Sequence, residues 1–577
     1  MKTRVITLLL ATLAICSCQT ASDNIKVNQV GFYPQQEKTF TLEEGNPSET
    51  AAILCAESGE KVWEGKALYS AVSPWSGKTR KVFDFSEITK PGRYIIKAGK
   101  ERKEIVISET ALTTLADAAL TGFYHQRSGM DLDPAIAGKW ARKAGHMDTE
   151  VYVHASAASG SRPEGTVISS PKGWYDAGDY NKYIVNSGYT IGVFLMAYEQ
   201  QSAYYDTLSL NIPESSLRVP DMLAEAMYNI RWMLTMQDTD GGVYHKLTNP
   251  EFESFIRPDE CQKPRYVVLK STAAALDFAA TMALAARVYA PYEDVYPGFV
   301  EQATDAALRA YAWAQAHPAI YYDQNAMNEQ YAPAIITGAY DDYDVQGEFY
   351  WAATELYLLT RDNQYRDAAL AYCPATYTPA VWGDVAELAS IEWMLHPQGV
   401  EAFAADKQAA LLAYLQPYLD EAESISVHRS PYGNREEDFF WGCNSEGCCW
   451  RGVQCLYAYH LTGRNTYLVN AERCLNHILG QNATGYCYVT GFGTKPTKDP
   501  HHRLSYSHPK GTLPGFLAGG PNRMRQDAET DGVRYPENVS ADESYLDFQP
   551  SYASNEVTIN WNVTLFALTA GLDALQQ

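Results

Sequence analysis

Two aspartates three residues apart are the pair in this chain best suited to chemistry. Asp176 and Asp179 stand on either side of Ala177 and Gly178, within the aromatic-rich stretch Gly173–Tyr183. A glycine lets the backbone turn so that both carboxylates approach one point, and two carboxylates around one water suit the general base of a hydrolase. Such like charges must also be stabilised by donors. Asp and Gly are also common in N-caps and turns, so this stretch alone could be either a catalytic site or an ordinary turn.

The composition bounds the class of protein and its partners. A length of 577 residues predicts two or more domains. The net charge of -23 argues against a nucleic-acid partner, because nucleic-acid binders carry a basic footprint. An uncharged polysaccharide fits better, and the 41 Tyr and 12 Trp include rings that could stack on sugar faces as well as fill the core.

Residues 1–17 have the pattern of a secretory signal. Lys2 and Arg4 precede the apolar run Ile6–Ile15, which is too short for a stable membrane span. The residues leading to Cys18 resemble a bacterial lipobox. We therefore expect Cys18 to be lipidated and the mature protein to be anchored in the cell envelope, on the outer-membrane, periplasmic or cell-surface face. Simple cleavage and secretion is the alternative.

The remaining nine cysteines are scattered and odd in number, which does not indicate a disulfide framework. Cys443, Cys448, Cys449 and Cys455 could form a metal-binding set. However, a predicted helix places only the i, i+7 pair on one face. We expect buried thiols instead.

The hydrophobic period changes once along the chain. Residues 24–108 alternate at period two between turn signals, which predicts a β-sandwich. From Glu109 to residue 577 the period is 3.6, and about twelve segments of helical length are separated by long loops rich in Gly, Pro and aromatics. An even number of antiparallel helices predicts a helical toroid with its site on the loops at one end. An open α-solenoid is the alternative, although no repeat of fixed period is present.

The stretch Gly173–Tyr183 resembles the catalytic segment of glycoside hydrolase family nine, the inverting (α/α)6 β-glucanases. Further matches follow in the family's order over nearly the whole chain: Asn28–Pro34, Met236–Lys246, Lys270–Ala274, Thr490–Gly493, Pro500–Arg503, Tyr545–Asp547 and Asn555–Glu556. The resemblance implies a mainly α fold, in which a small immunoglobulin-like β-sandwich precedes an (α/α)6 catalytic toroid.

The same resemblance implies the catalytic roles. Asp179 would be the general base, Asp176 would help it to hold the water, and Glu556 would be the general acid. Inversion needs carboxyl groups roughly 6.5–9.5 Å apart, a gap that residues on distant loops can provide. The acid must stay protonated, which requires an apolar or like-charged setting near Tyr552 and Trp561. Taken alone, Glu556 could instead be a carboxylate at a helix N-terminus.

By the same resemblance, His501, Arg503 and Asp547 would bind sugar hydroxyls beside the cleaved bond. His501 and the histidine after it could instead bind a metal, but adjacent residues rarely converge on one ion. Trp441 is the candidate stacking platform and Tyr552 a further substrate-binding ring. For Trp441 a place in the core is an equal alternative.

Two metal sites of the family are altered in this sequence. Relatives with the N-terminal domain often hold a structural zinc on two Cys and two His. Ser128 and Gly145 stand at the cysteine positions, so we expect no closed zinc site although His146 and His154 remain.

A calcium site of the family matches Asp344 and Glu348, with Asp384 nearby in the fold. Gly347 replaces the usual Asp, so a solvated acidic loop is the alternative. The chemistry itself requires no cofactor.

We therefore expect a monomeric endo-β-1,4-glucanase whose partner is a cellulose-like, mixed-linkage or xyloglucan backbone, with the lipid anchor as its only membrane contact. An exo-acting cellodextrinase or β-glucosidase, or an exo-glucosaminidase, stays open. A lipid-anchored glycan-binding protein without catalysis is the rival from another class. The joint presence of Asp176, Asp179 and Glu556 counts against that rival.

Overall fold

The computed structural model describes residues 24–424, 428–433 and 435–576. The predicted signal at 1–17 and Cys18 lie outside these residues. Within them, the β-rich part ends at Ile107 and the first long helix begins at Thr113.

The N-terminal part is a sandwich of two four-stranded sheets, ordered β1-β2-β6-β5 and β4-β3-β7-β8. Its core is aromatic, and the rings of Phe40 and Phe83 stack with centroids 4.8 Å apart. The strands are β1 Ile25–Lys26, β2 Thr39–Glu43, β3 Thr50–Cys55, β4 Lys61–Lys66, β5 Tyr69–Val72, β6 Thr79–Asp84, β7 Gly92–Ala98 and β8 Glu101–Ile107.

The remainder is helical, and the described residues contain twelve helices of ten residues or more. They are α1 Thr113–Gln126, α2 Ile184–Gln200, α3 Asp221–Thr235, α4 Thr272–Tyr289, α5 Phe299–Ala316, α6 Gln346–Thr360, α7 Asn363–Tyr372, α8 Ala386–Leu395, α9 Glu401–Ser424, α10 Trp450–Thr462, α11 Asn465–Ile478 and α12 Ile559–Ala574. The twelve predicted helical segments correspond to them one for one.

The even-numbered helices form the inner ring of a closed toroid. Helix α2 packs against α4 on one side and α12 on the other, so the ring has no open end. Glu387 of α8 accepts hydrogen bonds from Trp450 and Gln454 of α10 (both 2.6 Å), which joins those two inner helices. The predicted (α/α)6 toroid is confirmed, and the open solenoid is wrong. Helix α4 is long and apolar enough to cross a membrane, but it lies buried inside this ring.

Polar side chains fix the sandwich to the toroid. Arg80, on β6, is fully buried and pairs with Asp542 at 2.9 Å. Asn28 donates to Asn476 Oδ1 at 2.8 Å. Because buried charges and amides must keep their partners, these contacts orient the two parts with respect to each other.

The loops before the inner helices meet at one end of the toroid. A small five-stranded sheet supports them, with strands β9 Val151–Val153, β10 Val167–Ile168, β11 Lys182–Tyr183, β12 Lys246–Thr248 and β13 Arg265–Val267. Strand β11 connects the Asp176–Asp179 loop to α2. Glu556 likewise lies just before α12. The fold therefore brings the predicted catalytic groups to the N-terminal ends of two adjacent inner helices.

Candidate active site

The loop that carries the two aspartates is closed by its own backbone. The N–H of Asp176 donates to the carbonyl of Asn181 at 3.0 Å. Arg503 grips the middle of the loop, because its backbone N–H (3.0 Å) and its Nη1 (2.8 Å) both donate to the Gly178 carbonyl. A side chain at Gly178 would place Cβ 2.0 Å from the His501 carbonyl oxygen. The loop and the segment at 501–503 are therefore in direct contact.

Asp179 has one oxygen held and the other without a partner. Its Oδ2 accepts hydrogen bonds from Asn181 Nδ2 (2.6 Å) and from the Tyr183 hydroxyl (3.0 Å). Its Oδ1 is buried and has no hydrogen-bond partner among the described residues. A carboxylate fixed through one oxygen with the other unengaged is suited to accept a proton from water.

Asp176 is held through both of its oxygens. Oδ1 accepts from Asn186 Nδ2 (2.6 Å) and Oδ2 from the Tyr340 hydroxyl (2.7 Å). Each oxygen keeps a second lone pair for a water molecule. Burial and the charge of Asp179 raise the pKa of Asp176. The pair therefore behaves as one unit in which ionisation of one carboxyl disfavours ionisation of the other.

Glu556 faces the two aspartates from the opposite segment. It follows the short helix Tyr552–Asn555 and precedes the first residue of α12, Ile559, by three positions. It therefore lies outside the first turn of α12, which disfavours a purely helix-capping role. Burial raises the pKa of Glu556 to about 8, with further contributions from the charges of Asp179 and Asp176. At neutral pH the group holds the proton that a general acid needs.

The three carboxyl groups line one cavity of about 340 Å³. Aromatic rings form much of its wall, as is usual for sugar-binding clefts that bury the apolar faces of a ligand. The lining residues are Asp176, Ala177, Asp179, Tyr183, Phe252, Gly338, Ala339, Tyr340, Trp382, Trp441, Glu446, Glu556, Thr558, Asn560 and Trp561.

Trp441 stands at the rim of this cavity. Its side chain is 46% exposed, which excludes the alternative that it is a core residue. The half-buried ring of Tyr552 supports it edge-on, with centroids 5.6 Å apart. An exposed indole held in this way presents a free face on which a sugar ring can stack.

The three residues predicted to bind sugar hydroxyls, His501, Arg503 and Asp547, do not line the cavity. Arg503 donates to backbone carbonyls, including that of Glu253 (2.8 Å). Asp547 accepts the backbone N–H groups of Lys498 (3.0 Å) and Asp499 (2.9 Å). The contacts described here thus assign Arg503 and Asp547 to holding loops in place, and their contact with sugar hydroxyls stays a prediction.

His501 is a neutral imidazole beside the loop. Its Nδ1 lies 2.9 Å from the Gln549 carbonyl, so that nitrogen carries the proton. Burial lowers the pKa of His501 to about 4. His502 points elsewhere, with Nε2 3.2 Å from Gln126 Oε1. The two rings do not converge, which excludes the tandem-histidine metal pair.

The sequence did not single out several residues that shape the cavity. Tyr340 bonds directly to Asp176, although it lies 164 positions away. Glu446 lines the cavity from a six-residue π-helix, Asn444–Cys449, and burial raises its pKa to about 8. The only signals in the sequence were the aromatic character of Tyr340 and the acidic character of Glu446 next to a Gly, because the positions of both residues depend on packing between distant segments.

The cysteine cluster near α10 consists of thiols in the core. Cys443, Cys448, Cys449 and Cys455 are all buried and free. Burial raises the pKa of the Cys443 thiol to about 12, which disfavours the thiolate that a metal would bind. The expectation of buried thiols agrees with this environment.

The residues at the family's zinc positions do not fit that ion. Ser128 Oγ lies 3.4 Å from the ammonium of Lys182, which pairs with Asp148 at 2.7 Å in full burial. A side chain at Gly145 would overlap the Pro258 backbone at 2.3 Å. Both ring nitrogens of His154 already have partners, Ser156 and Pro333. The ammonium group of Lys182 therefore lies beside Ser128, one of these positions. Through its pairing with Asp148 it anchors β11 close to Asp179.

The acidic segment predicted to bind calcium is arranged differently from the expectation. Asp344 is exposed and accepts the backbone N–H of Gln346 at 3.1 Å, so it stabilises a turn. Glu348 is fully buried with Asp277 of α4, and neither oxygen of either carboxyl has a hydrogen-bond partner in the part of the chain that is described. Burial raises the pKa of both, with repulsion from Asp342 adding to it at Asp277 and repulsion from Asp277 adding to it at Glu348. Asp342 and Asp384 add to the repulsion at Glu348.

A test of the loop geometry is the substitution Gly178→Ala. Because the new methyl group would lie 2.0 Å from the His501 carbonyl, Asp179 must shift. We expect kcat/KM on a β-glucan to fall by roughly a hundredfold or more, since displacement of about 1 Å can have that effect. Gly160→Ala is the matched control, because nothing lies within 4 Å of its added atom. Equal activity of the two variants would contradict the described contact.

Comparison with known proteins agrees with this geometry. The model of glycosyl hydrolase family 9 matches residues 113–569, and that of the cellulase N-terminal Ig-like domain matches residues 20–103. A xyloglucan-specific endo-β-1,4-glucanase of Bacteroides ovatus is 50% identical over 98% of this chain and 97% of its own.

A cellulose 1,4-β-cellobiosidase of Acetivibrio thermocellus is 30% identical over 96% of this chain and 67% of its own. Among solved structures, a Bacteroides ovatus GH9 protein has a TM-score of 0.92 at 49% identity and covers 96% of this chain and 100% of its own. The chain belongs to glycosyl hydrolase family 9 and is a glycoside hydrolase.

Proposed function

We propose that the protein is an inverting endo-β-1,4-glucanase that cleaves a xyloglucan-type backbone. The observation that carries the proposal is the single cavity in which Asp179 Oδ1 has no described partner and Glu556 has a pKa of about 8. A relative at 50% identity is named for xyloglucan, which favours that polymer over unbranched glucans. The exposed Trp441 at the rim suits a chain that extends beyond the cavity.

In the proposed mechanism, each carboxyl group has one task. Asp179 takes a proton from a water that Asp176 helps to orient, and the water attacks the anomeric carbon. Glu556 donates its proton to the departing glycosidic oxygen. Attack and departure on opposite faces invert the anomeric configuration. The α-anomer should therefore appear first when fresh product is followed by NMR, whereas accumulation of the β-anomer would contradict the mechanism.

Substitutions should separate the acid from the base. Asp179→Ala should abolish turnover on every substrate. Glu556→Gln should lower kcat on the polymer by about 10²–10⁴-fold, yet dinitrophenyl glycosides should keep much more activity because their leaving group needs little protonation. In the wild type, kcat/KM should fall as pH rises through about 8, where Glu556 loses its proton.

Glu446→Gln is the matched control for this experiment. Glu446 lines the same cavity and its pKa is also raised to about 8 by burial. The alkaline fall should persist in Glu446→Gln. It should be absent from Glu556→Gln assayed on dinitrophenyl glycosides. If Glu446→Gln instead removes the alkaline fall, the assignment of Glu556 as the acid is wrong.

The mode of attack is tested by the products. An endo-acting enzyme should lower the viscosity of a xyloglucan solution quickly, while few reducing ends have formed. Carboxymethyl cellulose and mixed-linkage glucan, compared at equal concentration, report the preference for the backbone. Slow release of a single small product without loss of viscosity would indicate an exo-acting enzyme. Binding without new reducing ends would indicate a binding protein.

We propose further that the carboxyl groups near α4 and α6 hold a structural calcium ion. Asp277, Asp342, Glu348 and Asp384 are hard oxygen donors, and the partnerless carboxylates of Asp277 and Glu348 need a cation more than Asp344 does. Calcium added to EGTA-treated protein should raise Tm. Asp277→Asn should remove this rise and Asp344→Asn should keep it. The reverse pattern would restore Asp344 as a ligand, and no rise in the wild type would exclude the site.

Finally, we propose that the mature protein is anchored to a membrane of the cell envelope through an acyl group on Cys18. The support is the sequence that ends at Cys18, which resembles a lipobox. The wild type should sediment with membranes and be released by detergent, and Cys18→Ala should be soluble after the same fractionation. Wild-type protein found wholly in the soluble fraction would contradict the anchor.

A further inference from the structure

A second cluster of ionisable groups lies at the end of the toroid opposite the cavity. It is built at or near the C-terminal ends of α2, α4, α6 and α8. Arg287 of α4 pairs with Glu199 (2.9 Å), Glu355 (2.8 Å) and Glu392 (2.7 Å). If all three carboxyl groups were ionised, the single guanidinium would leave two negative charges uncompensated. Burial, reinforced by the charge of Glu355, raises the pKa of Glu392.

An imidazole completes the cluster on its open side. His396 follows the last residue of α8, and its Nε2 lies 3.5 Å from a carboxylate oxygen of Glu392 and 3.9 Å from one of Glu199. Glu199 and Glu392 each give one oxygen to Arg287. The second oxygen of each, and His396 Nε2, are buried without a hydrogen-bond partner among residues 24–424, 428–433 and 435–576. One potential ligand atom of each of the three side chains is thus left unsatisfied, and the Glu392 oxygen nearest to His396 is the one that accepts from Arg287.

The buried carboxylate oxygens of Glu199 and Glu392 that lack a hydrogen-bond partner would be stabilised by a cation. Glu392 is 0% exposed, and a buried carboxylate oxygen without a donor costs free energy that a hydrogen bond or a cation can recover. One ligand atom from each of Glu199, Glu392 and His396 lies within 4.8 Å of the others. Bonds of roughly 2.0–2.2 Å from an ion to nitrogen and oxygen require a slightly tighter group, which small side-chain rotations provide.

We propose that Glu199, Glu392 and His396 bind one divalent transition-metal ion of the zinc type. One imidazole and two carboxylates suit such an ion better than calcium, which prefers oxygen ligands alone. The side chain of His396 is 30% exposed while its Nε2 is buried, so rotation of this ring would admit an ion to the site. This site is separate from the family's zinc positions near Ser128, which the chain does not preserve.

The ion would stabilise the toroid without taking part in hydrolysis. It would join α2 to α8, and the first residues of α2 follow directly on the loop that carries Asp176 and Asp179. Binding to the folded state alone raises stability in proportion to the logarithm of the free metal concentration. The expected effect is therefore on Tm and on metal content, with kcat unchanged.

The test is a titration of ZnCl₂ into EDTA-stripped protein by isothermal calorimetry, in calcium-replete buffer so that the carboxyl groups near α4 are already saturated. The wild type should bind one equivalent, and Tm should rise by about 2 °C or more at a hundredfold excess over Kd. His396→Ala should weaken binding at least tenfold while leaving the Tm of the stripped protein nearly unchanged, because this ring has no described hydrogen bond at Nε2.

His460→Ala is the matched control, since His460 lies in the last turn of α10 with its Nε2 3.2 Å from Gln201 Nε2. It should bind zinc as the wild type does. Equal binding by the wild type and His396→Ala would overturn the proposal. So would the absence of any one-equivalent binding to the wild type.

Discussion

Burial of three carboxyl groups that also repel one another is the constraint on which the site depends. Asp176, Asp179 and Glu556 line one cavity. The described side-chain hydrogen bonds to the two aspartates come from neutral donors, namely asparagine and tyrosine side chains. A cation in direct contact with these carboxyl groups would lower the pKa of each of them. Neutral donors instead hold the aspartates in position and leave their field to act on Glu556, which keeps its proton near neutral pH.

The cations of the site are placed one layer behind the carboxyl groups. Arg503 donates to the carbonyl of Gly178, and Lys182 pairs with Asp148 beside Ser128. Arg503 holds the backbone of the loop and Lys182 anchors the strand that follows it, so the loop is fixed in place although its carboxylates are not directly neutralised. The inner ring of helices supplies the rest, since α2 begins five residues after Asp179 and α12 three residues after Glu556. Rigid scaffolding of this kind is what general acid and base groups need.

The periodicity of apolar residues made the fold predictable. Much of the site depends on contacts between segments that are distant in sequence, and these contacts could not be predicted. Twelve helices follow from apolar spacing because each has a face or a whole surface to bury. The Asp176–Asp179 loop was visible because its residues are adjacent. Arg503 and Asp547 have backbone groups among their partners, which no residue pattern reveals. Asp277 was missed since a single Asp within an apolar helix gives no sign of the carboxyl groups that face it from α6.

Burial, together with the charges of Asp179 and Asp176, keeps Glu556 protonated near neutral pH. Infrared difference spectroscopy of the wild type against Glu556→Gln measures this directly through the carbonyl stretch of a protonated carboxyl. We expect this band to be present at pH 7 and to titrate near pH 8, and we expect Asp179→Asn to move the titration to lower pH. A band that titrates near the ordinary glutamate pKa of about 4.3, unaffected by Asp179→Asn, would contradict it.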